Sequence, residues 1–505
     1  MIPLFIRNLG SITEANTGTE WDANDLYKEI LKRGSYFTHC GVEMGVPVVI
    51  LHNNNLRFFA DLFALWLIGV PVTCLSGSTG SYELSAIVNE TGTSTALVCG
   101  EIPKQLRKHQ TELRFLDSLE ADNWKKQLDL NQISPILPDK IALLLYTSGS
   151  TGLPKGVIHT PRTLQSKWLA LRQHVPLPVV ENTLCVLPTY FGHGLICNAL
   201  YPLVHGKKLV LLPAADPANL VLLPQVIDRY RITFFSSVPS MWHIVLKLCK
   251  SPRNGSLRQI NIGSAPLAEN LWRQVQSWAG INRVWNTYGI TETGSWVAGP
   301  LEEYAEIEPG DGLIGHGWGT NILIADLEDI MEAGPSPIAE PLTKSDSGYI
   351  WIRTPSIMQG YFNRPEETSQ VLKGGWFFTG DLGYLDDQGR LILTGRSSNQ
   401  VNKGGIKISL EELDLIIERH PKISEACTFR IQDHILGENI GVCVVINEVG
   451  SGFSLSEITH WCGVHMSDYK IPVTCYVVTT IPKTSRGKIN RDNVATFCAS
   501  LKALS

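Results

Sequence analysis

The run Tyr146–Gly156, YTSGSTGLPKG, sets three glycines among two threonines, two serines and one lysine, directly after the apolar stretch 141–145. A short buried strand feeding such a turn can aim backbone N–H groups and hydroxyls at an anion, with Lys155 adding charge. Phosphate is the chemistry this composition suits; a flexible linker would need neither the flanking strand nor the Pro-Lys-Gly ending. The P-loop pattern does not fit. Gly149 and Gly152 stand too close together, and Lys155 is followed by Gly156 where a magnesium-binding hydroxyl would be required.

Other stretches hold residues of reactive type. Asn286–Gly294, NTYGITETG, places hydroxyls and the Glu292 carboxylate on what reads as a loop after a strand over 283–285. Pro188–Gly194 (PTYFGHG) and Gly263–Pro266 (GSAP) also follow strand-like runs. The segment 376–396, WFFTGDLGYLDDQGRLILTGR, reads as a hairpin turning at 386–389, with Asp381 and Arg396 at its two ends. Near the end, PKTSRGKINR carries Lys488, which by position alone reads as a solvated loop lysine. The run GDGLIG (310–315) satisfies G-x-G-x-x-G, yet it follows an acidic, proline-containing stretch and opens no helix, so no dinucleotide site is assigned to it.

The elements that must position these residues follow from periodicity. Strand-like runs 46–51, 70–75 and 95–99 alternate with helical runs 58–67 and 82–90. The rhythm resumes after the glycine-rich run, with strands 184–187, 208–212, 232–236 and 259–262 between helices 163–175, 196–204, 220–230 and 240–248. Such alternation predicts doubly wound α/β layers, in which ligands sit beyond the carboxyl ends of strands. A small antiparallel β subdomain is expected over 348–393, and the charged stretch 102–132 reads as a solvated connection. The polar run at 397–400 suggests a hinge, followed by enough chain for a small α+β domain. The expected organisation is a large N-terminal domain over 1–395, a hinge at 396–399 and a mobile C-terminal domain over 400–505.

With 505 residues, 44% apolar and 18% charged, the chain exceeds one ordinary domain. A net charge of −5 without any Lys/Arg block argues against nucleic acid or an anionic membrane as partner. Eleven cysteines without a C-x-x-C pair suggest neither zinc nor disulfides, and point to reduced thiols and a cytoplasmic location. The N-terminal apolar run is too short for a signal-peptide core. The longer apolar run 58–75 contains Asp61 and breaks at Gly69 and Pro71, short of the about 20 residues a spanning helix needs. It reads as a buried helix running into a strand.

Taken in order, YTSGSTGLPKG, NTYGITETG, FFTGDLGYLDDQGRLILTGR and PKTSRGKINR resemble the motifs of the adenylate-forming superfamily: acyl-CoA synthetases, peptide-synthetase adenylation domains and beetle luciferases. The resemblance spans nearly the whole chain. It implies ATP-dependent conversion of a carboxylic acid to acyl-AMP, with release of pyrophosphate, and then transfer to a thiol. It also implies residue roles. Thr147, Ser148, Gly149, Ser150, Thr151, Gly152 and Lys155 would hold the β- and γ-phosphates. Ser264, Ala265, Pro266, Asn286, Thr287, Tyr288 and Gly289 would frame the AMP moiety, with Tyr288 on adenine. Thr291 would contact the α-phosphate, Glu292 would bind Mg2+, and Asp381 would accept from the ribose hydroxyls beside Arg396. Lys488 would bridge the substrate carboxylate and the α-phosphate. The family's hinge position falls on Ser398 in place of the usual Asp or Lys, and Gly404 and Gly405 would border the pantetheine tunnel.

The acyl pocket implied by the resemblance comprises Phe191, Gly192, His193, Ser236, Ser264, Thr287, Gly289 and Gly294. Phe191 stands where the family usually has His, with His193 two residues on as a lining residue. Amino-acid adenylation domains carry an Asp at the position of Gly192, so an ammonium-bearing substrate is disfavoured; the turn is closer to that of aryl-acid CoA ligases. An aromatic or short-to-medium aliphatic acid is expected. The strand KGGIKIS (403–409) resembles the acyl-CoA synthetase version, making CoA the first acceptor and a carrier-protein phosphopantetheine arm the alternative. A non-catalytic nucleotide-binding relative is disfavoured, because Lys488, Glu292, Asp381 and Arg396 are all present.

Overall fold

The computed structural model describes residues 6, 8–52, 54–79, 81–102, 106, 113–129, 131, 133–147, 154–213, 217–302, 307–325, 347–396, 399–403, 406–433, 437–447, 453–466, 470–484 and 487–503. A six-stranded sheet runs in the order Arg114–Asp117, Thr95–Val98, Val48–Ile50, Val72–Cys74, Leu143–Thr147, Lys155–His159, parallel except for the last pair. The helix Leu56–Leu67 is buried at every residue but Arg57, and joins residues of this sheet and the next in one core. A helix apolar all round can satisfy its surface only inside a core. It leads into Val72–Cys74, as expected for 58–75, and among the described residues no helix is long and apolar enough to cross a membrane.

The second sheet has fourteen described strands. Its parallel part brings together Ile12–Glu14, Lys208–Leu211, Asn182–Cys185, Phe234–Ser237, Gln259–Gly263 and Val284–Ile290. The last of these belongs to both halves. Val284–Thr287 pair in parallel with Gln259–Gly263, whereas Tyr288–Ile290 pair antiparallel with Ser295–Gly299, with a register shift between Tyr288 and Gly289. From there the sheet continues antiparallel through Leu313–Gly317, Leu391–Arg396, Trp376–Leu385, Gly348–Arg353 and Asn321–Ala325. A third sheet, of Gln400–Lys403, Ile406–Ser409, Gly437–Ile446, Ile423–Asp433 and Thr474–Val478, packs with the helix Leu410–Glu418 around its own core. The fold is therefore a large doubly wound α/β domain with an antiparallel β subdomain, followed by a small α+β domain.

Two local expectations are corrected. The stretch 102–132 is not merely a solvated connection: Arg114–Asp117 completes the six-stranded sheet, and the helix Ser118–Asp122 brings Ser118 against Arg33 and Asp61. Asn286–Ile290 is strand rather than loop, because burial on both faces favours continuing the sheet; only Thr291–Thr293 turns, as a short 3-10 segment.

Candidate active site

The glycine-rich run connects two paired strands, with Thr147 opposite Lys155. Its Ser148, Gly149, Ser150, Thr151 and Gly152 lie outside the described residues. Lys155 pairs with Glu367 at 2.5 Å and lies 5.3 Å from the centre of the Tyr361 ring. Arg364 anchors the base of the loop: its guanidinium donates to Glu90 at 2.9 Å, Glu367 at 3.1 Å and the Pro154 carbonyl at 3.1 Å. The Tyr361 hydroxyl donates to Glu292 at 2.8 Å, which links the lysine end of the loop to the Glu292 carboxylate.

Beyond the carboxyl ends of Gln259–Gly263 and Val284–Thr287 opens a cavity of about 540 Å3. Ser264, Ala265, Pro266, Asn286, Thr287, Tyr288, Gly289, Asp381 and Arg396 line it from the large domain, and Lys488 from the small one. The Tyr288 hydroxyl donates to Asp381 at 2.5 Å, and the Arg396 Nε donates to the other carboxylate oxygen. Burial, reinforced by the Asp381 charge, holds the Tyr288 phenol well above its ordinary range, and Asp381 raises the Arg396 guanidinium. Asp381 is thus a fixed acceptor at the cavity wall. Gly289 is required by close approach: a methyl there would fall 2.3 Å from the Ser295 carbonyl carbon. Thr291 stands at the turn with its carbonyl accepting from His159 Nε2 at 2.9 Å.

Of the expected acyl-pocket residues, Ser264, Thr287 and Gly289 line this cavity, whereas Phe191, Gly192, His193, Ser236 and Gly294 do not. His193 opens a π-helical segment, His193–Leu200, and is clamped between two serines: Nδ1 lies 2.8 Å from Ser264 Oγ and Nε2 beside Ser236 Oγ. The Ser236 hydroxyl also reaches the Asn261 carbonyl at 3.3 Å, which ties the clamp to the neighbouring strand. Burial, with the Lys488 charge adding to it, pushes His193 down to about 3, so the ring stays neutral. Its hydrogen bond holds Ser264 at φ +70, a conformation non-glycine residues rarely adopt. Ser398, Gly404 and Gly405 lie outside the described residues.

Two family models match: AMP-binding enzyme over residues 10–362 and AMP-binding enzyme C-terminal domain over 412–488. This chain belongs to the AMP-binding enzyme family. Oxalate–CoA ligase of Arabidopsis thaliana is 34% identical over 362 residues, 71% of this chain and 68% of that protein. A CoA ligase of Humulus lupulus named Probable CoA ligase CCL9 is 33% identical over 71% of this chain, and the matched stretch spans 66% of its length. 2-Succinylbenzoate–CoA ligase of Geobacillus kaustophilus (strain HTA426) is 27% identical over 92% of this chain and 91% of that protein. The fold is that of o-succinylbenzoate CoA synthetase from Bacillus subtilis, solved with its acyl-adenylate, with a TM-score of 0.85 and 22% identity over 100% and 99% of the two chains. The present AMP-binding enzyme is an AMP-forming acid–thiol ligase of the acyl-CoA synthetase type.

In this AMP-binding enzyme, Tyr361, Arg364 and Glu367 contact the expected site residues Glu292 and Lys155 and the base of the loop, contacts that sequence reading missed. In sequence the run Tyr361–Glu367, YFNRPEE, reads as the capped start of a surface helix, which Pro365–Val371 is, so its composition gave no sign of these contacts. Replacing Arg364 with alanine removes a charged three-way anchor, and should raise KM for ATP about 10-fold while changing KM for the acid far less, in steady-state pyrophosphate assays.

Proposed function

We propose that this AMP-binding enzyme activates a carboxylic acid with ATP, releasing pyrophosphate, and passes the acyl group from AMP to CoA. The observation that carries the reading is that Lys488 of the small domain and Tyr288, Asp381 and Arg396 of the large domain line one cavity. A carboxylate attacking a phosphoryl centre brings two anions together, so positioning and charge neutralisation supply most of the catalysis. Lys488 supplies that charge between the acid and the α-phosphate, joined by the Thr291 hydroxyl. Asp381 holds the ribose and Tyr288 the adenine, while Thr147, Lys155 and the loop between them receive the β- and γ-phosphates.

Glu292 would hold a magnesium ion, since Tyr361 orients one carboxylate oxygen and the other has no hydrogen bond among the described residues. Magnesium there would neutralise phosphate charge. Tyr361→Phe should therefore raise the magnesium concentration needed for half-maximal pyrophosphate release about 10-fold.

The small domain, from 400 onward, would then turn about 396–399, withdrawing Lys488 and admitting pantetheine past Gly404 and Gly405. Gly192 and the mixed small and aromatic surroundings of the acyl site favour an aromatic or short-to-medium-chain acid over an amino acid; a 4-coumarate–CoA ligase of Nicotiana tabacum is among the relatives. Mass spectrometry after incubation with ATP, magnesium and an acid panel, with and without CoA, tests the reading. Acyl-CoA is the expected product; acyl-AMP that accumulates and ignores CoA would replace CoA with a carrier protein.

A further inference from the structure

Lys167, on the helix Pro161–His174, has 1% of its surface exposed. One other lysine or arginine among the described residues is buried as deeply, Arg33, and it meets Asp61 at 2.7 Å. Lys167 meets no carboxylate among the described residues. Its ammonium donates to the Trp296 carbonyl, and no further acceptor among the described residues takes its remaining N–H groups. An ammonium without a counter-charge is costly to bury, and burial pushes Lys167 down to about 8.

The surroundings point toward the acyl site. His159, also 1% exposed, donates from Nε2 to the Thr291 carbonyl, and its Nδ1 has no hydrogen-bond partner among the described residues. Both side chains converge on Gly294: a methyl placed there would stand 3.7 Å from Lys167 Cε, 3.7 Å from His159 Cε1 and 3.6 Å from Ile196 Cδ1. A methyl on Gly192 would stand 3.9 Å from the same Ile196 carbon. Two glycines of the expected acyl pocket thus face the same Ile196 side chain, and beside one of them stand a cation and an imidazole nitrogen that have no partner of opposite charge or hydrogen bond, respectively, among the described residues.

We propose that Lys167 is a specificity-determining residue that pairs with a second carboxylate at the distal end of the acid, so that the preferred substrates are dicarboxylic acids. The inference rests on the ligase reading above. The distal anion supplies the counter-charge that the ammonium lacks. The same anion favours the protonated form of His159, whose Nδ1 then has an acceptor within reach of the pair.

The test measures pyrophosphate release with ATP and magnesium for sets of acids, aliphatic and benzoic, that share one skeleton. Members of a set differ only in the distal group: carboxylate, carboxamide, hydroxyl or methyl. In the best-used set the wild-type enzyme should prefer the carboxylate over its amide by about 100-fold in kcat/KM. Lys167→Met should bring that ratio to within a few-fold of one while retaining turnover of the methyl analogue, with AMP binding and thermal midpoint reporting the fold. The wild-type comparison stands even if that variant does not fold. A neutral analogue used as well as the diacid, or a variant that loses all four acids in proportion, overturns the inference and leaves the ligase reading intact. Pyrophosphate released from no acid in any set overturns both.

Discussion

Replacing Lys488 with alanine is expected to slow acyl-adenylate formation by about 100- to 1000-fold while AMP binding changes only a few-fold. The lysine reaches the shared cavity from a strand-poor loop of the small domain, held by its backbone N–H donating to Thr484 Oγ1 at 3.2 Å. The side of the cavity proposed to take adenine and ribose is built by Tyr288, Asp381 and Arg396, which are tied to one another through the Asp381 carboxylate. Truncation therefore removes charge at the reacting oxygens and leaves the nucleotide's other contacts. Pyrophosphate release under single-turnover conditions and calorimetric titration with AMP separate the two. The thioester half-reaction, started from supplied acyl-AMP and CoA, should persist, because the proposed rotation withdraws Lys488 in that step. Unchanged pyrophosphate release would sink the assignment.

The largest stability effect is expected at Asp61. It lies on the buried helix Leu56–Leu67 and meets Arg33 at 2.7 Å, with both side chains fully buried. His52 Nε2 is 3.0 Å from Asp61 Oδ2, and the Ser118 hydroxyl donates to the same oxygen at 2.6 Å. Asp61→Ala removes the fully buried partner of Arg33, leaving its charge with the less buried Asp122 and with Glu29 at 3.6 Å, and should cost about 3–5 kcal/mol in the denaturant-induced unfolding of the large domain. Asp61→Leu combined with Arg33→Met should cost less, because removing both charges leaves nothing uncompensated. Burial by itself would raise the Asp61 carboxyl, but the Arg33 charge and the bonds from His52 and Ser118 together hold it below its ordinary value. A carboxyl lowered on folding binds fewer protons folded than unfolded, so its contribution is complete above the unfolded pKa of about 3.9. It is lost as pH falls below that value. Wild-type stability should accordingly fall in acid more steeply than that of the Arg33→Met/Asp61→Leu double variant, when unfolding is followed across that range.

Side-chain chemistry and local periodicity singled out the loop at 146–156, the motif at 286–294 and the hairpin that carries Asp381 and Arg396, whereas Lys488 drew attention only through the family resemblance of PKTSRGKINR. Short-range signals of this kind survive folding: Asp381 and Arg396 face each other because a hairpin with a turn at 386–389 pairs their positions directly. The alternation of strands and helices likewise required a doubly wound sheet, since each apolar face must be covered by the next element. Residues 114–118 carried no comparable signal. Arg114–Asp117 is a four-residue strand with one buried position, and its place is set by pairing with Thr95–Val98. What only the tertiary structure decided is which distant residues share a volume. Arg364 reaches Glu90 across 274 positions, and Lys167 reaches the Trp296 carbonyl across 129. His193 becomes a serine-clamped neutral ring rather than an open pocket wall. Burial and pairing depend on what lies opposite in space, and a one-dimensional pattern records only what lies beside in the chain.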